Sequence, residues 1–348
     1  MNPIERTARK LDGLQQRYTP SAFVFGVVKK FGDDHGGVLV GNLTYVAFIS
    51  MFPLLLVLVT ILGLVAASDP SFKQAVLNAV ARQVPLIGHQ LTGNVHELRR
   101  SSVIGLIAGL ASLLWGSTRL AQAGLYAMEQ VWNLPGPARP GYLQRLGRAL
   151  LFLGLLGCAV IVTTLLTGLS TYGHGGLPLV VLAEAIAAVV NAGMYLGGFR
   201  VLTPKGVPAR DLVRGAVIAG ILWTVLQVLG VYLVHRFLHS DSAYGVFATV
   251  LGLVAWLYVA ARVTVYCAEI NVVLARRLWP RAFIQPPLTE ADRASLALQA
   301  LQNQRRVEQQ VHVTFSDRHP GAVAPSSTPR TPGEVSPPAS RDIPEDDK

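Results

Sequence analysis

Six long apolar runs, each nearly free of charged residues, constrain this chain more than any other feature. A membrane-spanning helix needs about 20 mainly apolar residues, because the bilayer core offers no water to its backbone polar groups. Windows of that length occur at 43–66, 103–126, 149–171, 178–199, 212–235 and 246–270. Arg119 interrupts the second window, which is the least regular of the six. The pattern predicts an all-α, polytopic membrane helix bundle with about six transmembrane helices.

The composition agrees with a membrane protein. Charged residues make up 14% of the chain, against about 25% in a typical soluble domain. Lys and Arg flank the apolar runs instead of forming one basic face, which disfavours nucleic acid as a partner. Cys158 and Cys267 both lie inside apolar runs, where they offer neither a disulfide framework nor a metal motif. Membrane lipids are the expected partners.

The distribution of Lys and Arg predicts the orientation. With the N-terminus inside, the inner segments 1–42, 127–148, 200–214 and 276–348 contain twenty-three of these residues, and the outer loops 67–102, 172–177 and 238–245 contain four. We therefore expect both termini on the cytoplasmic side of the membrane. The predicted divisions are a cytoplasmic segment at 1–42, the transmembrane domain at 43–275, a polar helical segment at 276–319 and a disordered Pro-rich tail at 320–348.

Two shorter segments have helical signals outside the six windows. After Pro20, the apolar residues of 23–31 recur at helical spacing, while Lys29, Lys30, Asp33 and Asp34 fall elsewhere around the helix. This predicts a helix that either lies on the inner leaflet or packs under the bundle.

The second of these signals begins at Thr289. The sequence Thr-Glu-Ala-Asp predicts an N-capped polar helix from there to about Val311.

Ionisable side chains within membrane spans are costly and mark functional sites. Arg262 and Glu269 share one face of the sixth span, two turns or about 10 Å apart. Glu184 and Asn191 share a face of the fourth span, and Arg119 lies in the second. Two interpretations remain open. These residues bound a polar pathway or binding cavity, or they form structural pairs and interfacial groups that snorkel to water.

Proline and glycine indicate how the spans pack. Pro53 removes a backbone donor from the first span, so we expect a kink near Ser50. Gly193 and Gly197 match the GxxxG pattern, which permits close approach of two helices.

Three histidines near the outer ends of the spans are weak candidates for a metal site or a pH sensor. His235 and His239 are four residues apart, and His174 lies in another outer loop. Without a third ligand at fixed spacing, an interfacial role is the alternative. No P-loop, HExxH, GxSxG or Rossmann fingerprint occurs in a suitable context, so we expect neither an enzyme nor a cofactor.

Three segments together carry a family resemblance: Gly41–Pro53, Gly215–Trp223 with its continuation, and Tyr244–Asn271. The motif residues, to which we assign structural roles, are Tyr45, Ser50, Pro53, Gly215, Trp223, Gly245, Trp256, Tyr258 and Asn271. The chain resembles the YihY/BrkB family of bacterial inner-membrane proteins, once mislabelled ribonuclease BN, from about residue 20 to 278. Arg262 departs from the apolar residue expected there. The resemblance implies six spans with cytoplasmic ends.

The resemblance also implies a role in the cell envelope, since family members are named for virulence and serum resistance. Together with the intramembrane charges, it favours a transporter or exporter of an envelope-related amphiphile or solute, with a lipid or small molecule as substrate. The alternative is a non-catalytic membrane scaffold that acts through its cytoplasmic tail. Ribonuclease activity is not expected, because no acidic and histidine cluster exists to position RNA and metal.

Overall fold

The computed structural model describes residues 12–13, 15–65, 103–172, 177–203, 206–237 and 243–315. Within these ranges the regular secondary structure is helical and includes no strand. The α-helices, numbered in chain order, are α1 (Thr19–Asp33), α2 (Gly36–Val65), α3 (Val103–Val131), α4 (Tyr142–Tyr172), α5 (Leu177–Leu202), α6 (Arg210–Phe237), α7 (Ala243–Arg276) and α8 (Glu290–Gln302).

The six long helices, α2 to α7, coincide one by one with the six apolar windows. Four of them contain a stretch that is long and apolar enough to cross a membrane, within the residues described. These stretches are Gly36–Pro53, Ala185–Leu202, Arg210–Gly230 and Thr249–Arg276. The all-helical membrane bundle is confirmed, while the count of six spans stays a prediction.

The long helices form a closed ring. Each one packs against the next in chain order, and α7 also packs against α2. The buried apolar core includes the N-terminal parts of α2 and α6 and the C-terminal parts of α3, α5 and α7. Consecutive helices therefore run in opposite directions. We call the end of the ring where these parts meet the basal end.

Helix α1 packs beneath the ring against α7. Its Val27 is buried in the core, whereas Val24 and Val28 are 59% and 49% exposed. Both interpretations of its sequence therefore apply, since one face packs under the bundle and another apolar face stays open, as in an interfacial helix.

Helices α1 and α8 lie at the same end of the ring. The Nζ of Lys29 on α1 is 2.9 Å from a carboxylate oxygen of Asp292 on α8. Because α1 precedes the first long helix and α8 follows the last, the chain crosses the membrane an even number of times between them. This agrees with the predicted placement of both ends on one side.

Helix α8 begins as predicted and ends earlier. Thr289 and Asp292 form a reciprocal capping box at its start. The helix ends at Gln302 and not near Val311, because the chain turns there and the carbonyl of Gln304 accepts the backbone N–H of Gly136 at 2.8 Å. The predicted tail at 320–348 lies outside the described residues, and the four predicted divisions of the chain stay a prediction.

Candidate functional site

A cluster of three charged side chains is buried at the basal end, between α1 and α7. The side chains of Lys30 and Glu269 are fully buried, and Nζ of Lys30 is 3.6 Å from Oε2 of Glu269. Lys30 also forms an ion pair with Asp34, four residues later. It donates a further hydrogen bond to the carbonyl of Val131 at the end of α3, at 3.1 Å. One ammonium group thus connects three helices.

The turn between α1 and α2 places Asp34 in this cluster. His35 has a φ of 55° and Asn133, just after α3, has a φ of 46°. Asn and His are among the residues that adopt this left-handed conformation more readily than most. The side-chain amide of Asn133 donates to Asp34 at 2.9 Å and to Gln302 of α8 at 3.1 Å. The cluster therefore extends from α1 through α3 to α8.

Glu269 is the least satisfied member of the cluster. Neither of its carboxylate oxygens has a hydrogen-bond partner among the described residues. It shares Lys30 with Asp34, so two carboxylates compete for one ammonium group. Arg276 acts on Asp34 from a greater distance, while its guanidinium donates to the carbonyl of Trp132 at 3.2 Å. A buried polar group without a partner requires an explanation, and function is a common one.

A third buried carboxylate, Asp292, attaches the C-terminal segment to α1. It accepts hydrogen bonds from Lys29 and Arg281, both at 2.9 Å, and from the backbone N–H of Ala282 at 3.0 Å. Burial by itself raises the pKa of Asp292. The bonds from Ala282, Lys29, Arg281 and the Thr289 hydroxyl outweigh that effect, so the pKa lies well below its usual range. Asp292 is therefore held as a carboxylate.

A separate ion pair, Glu129–Arg145, joins α3 to α4. Glu129 is buried, and both of its oxygens accept from the guanidinium of Arg145, at 2.8 and 2.7 Å. Such two-pronged Arg–carboxylate pairs fix geometry as well as charge. The pair holds the end of α3 against the start of α4 at the basal end.

Of the predicted pathway residues, Asn191 lies at a buried contact between α5 and α6. Its amide donates to Thr224 at 3.0 Å and to Gln227 at 3.4 Å. Glu184 lies on the same helix, α5, and its side chain is outside the described part of the structure.

The two predicted arginines have exposed side chains. The guanidinium of Arg119 lies 5.3 Å from the ring centre of Trp115. That of Arg262 lies 5.7 Å from the ring of Tyr266 and 6.0 Å from that of Phe31. The cation beside Glu269 is Lys30 and not Arg262. The predicted residues thus have separate partners in the described part of the chain, and a continuous pathway through them stays a prediction.

Several motif residues make contacts between helices. Ser50 on α2 donates to the carbonyl of Gly116 on α3 at 2.9 Å, and the Pro53 ring lies close beside the same glycine. The backbone N–H of Gly215 donates to the side-chain oxygen of Asn271 at 2.7 Å, which joins α6 to α7. The first contact holds α2 against α3, and the second closes α6 onto α7.

The aromatic motif residues differ in their surroundings. Trp256 is buried, and Trp223 packs edge-on against Tyr195 with 6.3 Å between ring centres. Tyr45 and Tyr258 are exposed, as expected for side chains that face lipid.

The histidine candidates fall beyond the described side chains. His174 and His239 lie outside the described residues, and of His235 only the backbone, on α6, is described. Among the described residues, no group of three His, Cys, Asp or Glu side chains could hold a metal ion.

Sequence reasoning found Glu269 and missed its partners. Lys30 and Asp34 were assigned to the polar side of α1, where charged residues usually meet water. Their spacing of four residues, which permits an ion pair on one helix face, is the sequence signal that could have linked them.

Comparison with known proteins gives a consistent family. The family model described as "Virulence factor BrkB" matches residues 27–288, a range that includes Lys30, Asp34 and Glu269. "Inner membrane protein YhjD" of Escherichia coli (strain K12) is 25% identical, over 77% of this chain and 84% of that protein. A "UPF0761 membrane protein" of Alteromonas mediterranea is 24% identical, over 72% of this chain and 87% of that protein. No solved structure matches the chain.

Proposed function

Because the chain belongs to the virulence factor BrkB family of membrane proteins, we propose that it transports or exports an envelope-related amphiphile or solute across the bacterial inner membrane. The substrate is a lipid or a small molecule, and the basal end faces the cytoplasm. The observation that carries this proposal is the buried carboxylate of Glu269, which shares the ammonium group of Lys30 with Asp34 and lies 3.6 Å from it, beyond hydrogen-bond distance.

The position of the pair suggests a gate at the inner end of the ring. Glu269 belongs to a membrane-spanning helix, whereas Lys30 belongs to α1, which lies beneath the ring. Movement of α1 away from α7 would separate the two charges and open the basal end. Glu269 would then be free to bind a cationic group. Ionisable residues that a span retains despite their cost commonly have such a role.

Polar groups farther from the basal end support passage of a partly polar molecule. Asn191, Thr224 and Gln227 form one polar contact between α5 and α6. The hydroxyls of Tyr195 and Thr264 form another between α5 and α7, at 3.3 Å. These side chains could replace the water around a polar headgroup while the apolar remainder faces aliphatic residues.

Transport by purified protein in liposomes tests the proposal. The probes are a fluorescent phosphatidylethanolamine, scored for movement between leaflets, and a radiolabelled amino acid, scored for uptake. Glu269→Gln removes the charge and keeps the shape, so we expect transport to slow at least about tenfold. Glu290→Gln is the matched control, because Glu290 is exposed at the start of α8. Wild-type rates in a folded Glu269→Gln protein would refute the role of Glu269.

A membrane scaffold is the second candidate, and one observation favours it. Phe283 and Val307, in the segment after α7, are 65% and 78% exposed. Apolar side chains left exposed there could contact a partner protein. Replacement of both side chains by Ser should then abolish the envelope phenotype while the bundle stays folded, and an unchanged phenotype would count against the scaffold. Neither candidate includes a catalytic step or a cofactor.

A further inference from the structure

Arg262 is an exposed cation on a membrane-spanning helix. It lies on α7, within the apolar stretch Thr249–Arg276, and its side chain is exposed. Among the described residues, no carboxylate forms a salt bridge with Arg262. The buried carboxylate of the same helix, Glu269, pairs with Lys30 instead. A charge on the lipid-facing surface is costly unless it reaches the headgroup region or an anionic partner.

Helix α1 fixes the level of the Arg262 guanidinium relative to the basal end. The guanidinium lies 6.0 Å from the ring centre of Phe31 on α1, the helix at the basal end. It also lies over Tyr266, one turn closer to that end. The side chain therefore extends toward the basal end of α7, in the direction of the headgroups of that leaflet.

Two aromatic rings hold the guanidinium in place at the seam between α1 and α7. Phe31 of α1 stacks on Tyr266 with 4.2 Å between ring centres and 12° between ring planes. The guanidinium of Arg262 is within about 6 Å of both rings, the range of a cation–π contact. The phenol oxygens of Tyr266 and Tyr258 also interact with the guanidinium. A guanidinium has five N–H donors, so donors remain for a phosphate.

The surface beside Arg262 suits an acyl chain. Leu251, Tyr258 and Val259 precede it on α7 and are exposed. At offsets of eleven, four and three residues, they share its face of the helix. A lipid with its phosphate on Arg262 would lay its tail along these side chains, toward the middle of the bilayer.

We propose that Arg262, Phe31 and Tyr266 form a binding site for the phosphate group of an anionic phospholipid in the leaflet at the basal end. The planar guanidinium presents paired N–H donors, which match two oxygens of one phosphate. The site does not depend on the proposed transport function, because that function rests on Glu269 and Lys30, and neither belongs to the site.

Native mass spectrometry of the full-length protein tests this site. The protein is released from nanodiscs that contain equal amounts of phosphatidylglycerol and phosphatidylcholine, and the retained lipids are counted. We expect wild type to retain phosphatidylglycerol preferentially, and Arg262→Gln to lose that preference by about tenfold. Arg210→Gln is the matched control, since the Arg210 side chain is 86% exposed and pairs with Asp211. It should retain the wild-type preference.

Three outcomes would overturn the proposal. They are an unchanged preference in Arg262→Gln, no preference in wild type, and displacement of the retained lipid by inorganic phosphate, which would indicate a site for free phosphate. If Arg262→Gln does not fold, Phe31→Leu provides the test, because it removes one ring and keeps the charge. A reduced preference in Phe31→Leu supports the site, and a wild-type preference refutes it.

Discussion

Removal of the Asp292 carboxylate should release the C-terminal segment from α1. Asp292 is fully buried and accepts hydrogen bonds from Lys29, Arg281, Ala282 and Thr289. In Asp292→Ala, two cations and three neutral donors lose this acceptor at once, because Thr289 donates both its backbone N–H and its hydroxyl. No other contact between α1 and α8 in the described structure has so many charged partners.

The expected cost follows from the exposure of those partners. Breaking a buried ion pair by removal of one member costs about 3–5 kcal/mol. The lower end applies to Asp292, because the Lys29 side chain is 20% exposed and Arg281 keeps a second partner, Asp33, at 2.6 Å. A loss of about 3 kcal/mol raises the population of the undocked segment about 100-fold.

Hydrogen exchange of the α8 amides measures that population, because local opening limits their exchange. We expect the exchange of amides in Glu290–Gln302 to accelerate about 100-fold in Asp292→Ala. Glu290→Ala is the control. It removes a carboxylate from the same helix start and should cost less than about 1 kcal/mol. If the two variants exchange alike, the buried network around Asp292 does not hold the segment against α1.

Three further predictions concern the same end of the protein. Because the pKa of Asp292 is lowered in the folded protein, docking of α8 should stay constant down to the ordinary Asp pKa of about 3.9 and weaken below it, measured by pepsin cleavage in acid. Gly215→Ala should reduce the free energy of unfolding by about 1–3 kcal/mol and so lower the thermal midpoint in detergent, because the added Cβ would meet the Cys267 carbonyl. Gly193→Ala is the control, since its Cβ would enter open space and should leave the midpoint unchanged. Glu129→Gln should lower the free energy of unfolding by about 1 kcal/mol in the same assay. Its partner Arg145 is part-exposed, so water can solvate the guanidinium once the carboxylate charge is gone.

The long helices were predictable because hydropathy is a local property. Each apolar window lies along one observed helix, and even the interrupted window belongs to a continuous helix, α3. The interruption at Arg119 did not break the helix, because the side chain lies exposed over Trp115 and demands no space in the core. A single charge changes the hydropathy average without changing the backbone.

The partners of the buried charges were not predictable from one sequence. Periodicity separates Lys30 and Asp34 from the apolar face of α1, and it does not say what covers the polar side. In the structure that side lies against α3 and α7, so the charges pair with one another and with Glu269. Helical spacing identifies which residues share a face, but not what covers that face.

The glycine pattern was right at one of its two positions. A Cβ added at Gly197 would lie 3.0 Å from the side chain of Leu155 on α4, whereas one added at Gly193 would meet nothing within 4 Å. A closer approach occurs outside the pattern at Gly220, where a Cβ would lie 2.6 Å from the Cα of Ala192 on the neighbouring helix. Close approach depends on which side of a helix faces its neighbour, and the ring arrangement determines that.

Helix α1 connects the proposed gate to the proposed lipid site. Lys30 contacts Glu269, and the next residue, Phe31, stacks on Tyr266 beside Arg262. Movement of α1 that separates the first pair would also separate the second. A phospholipid bound at Arg262 would therefore favour the closed basal end, and opening would weaken lipid binding by the same factor. Phosphatidylglycerol should accordingly slow amide exchange in α1 of the wild-type protein and not of Arg262→Gln, and equal slowing in both would show that the two sites are independent.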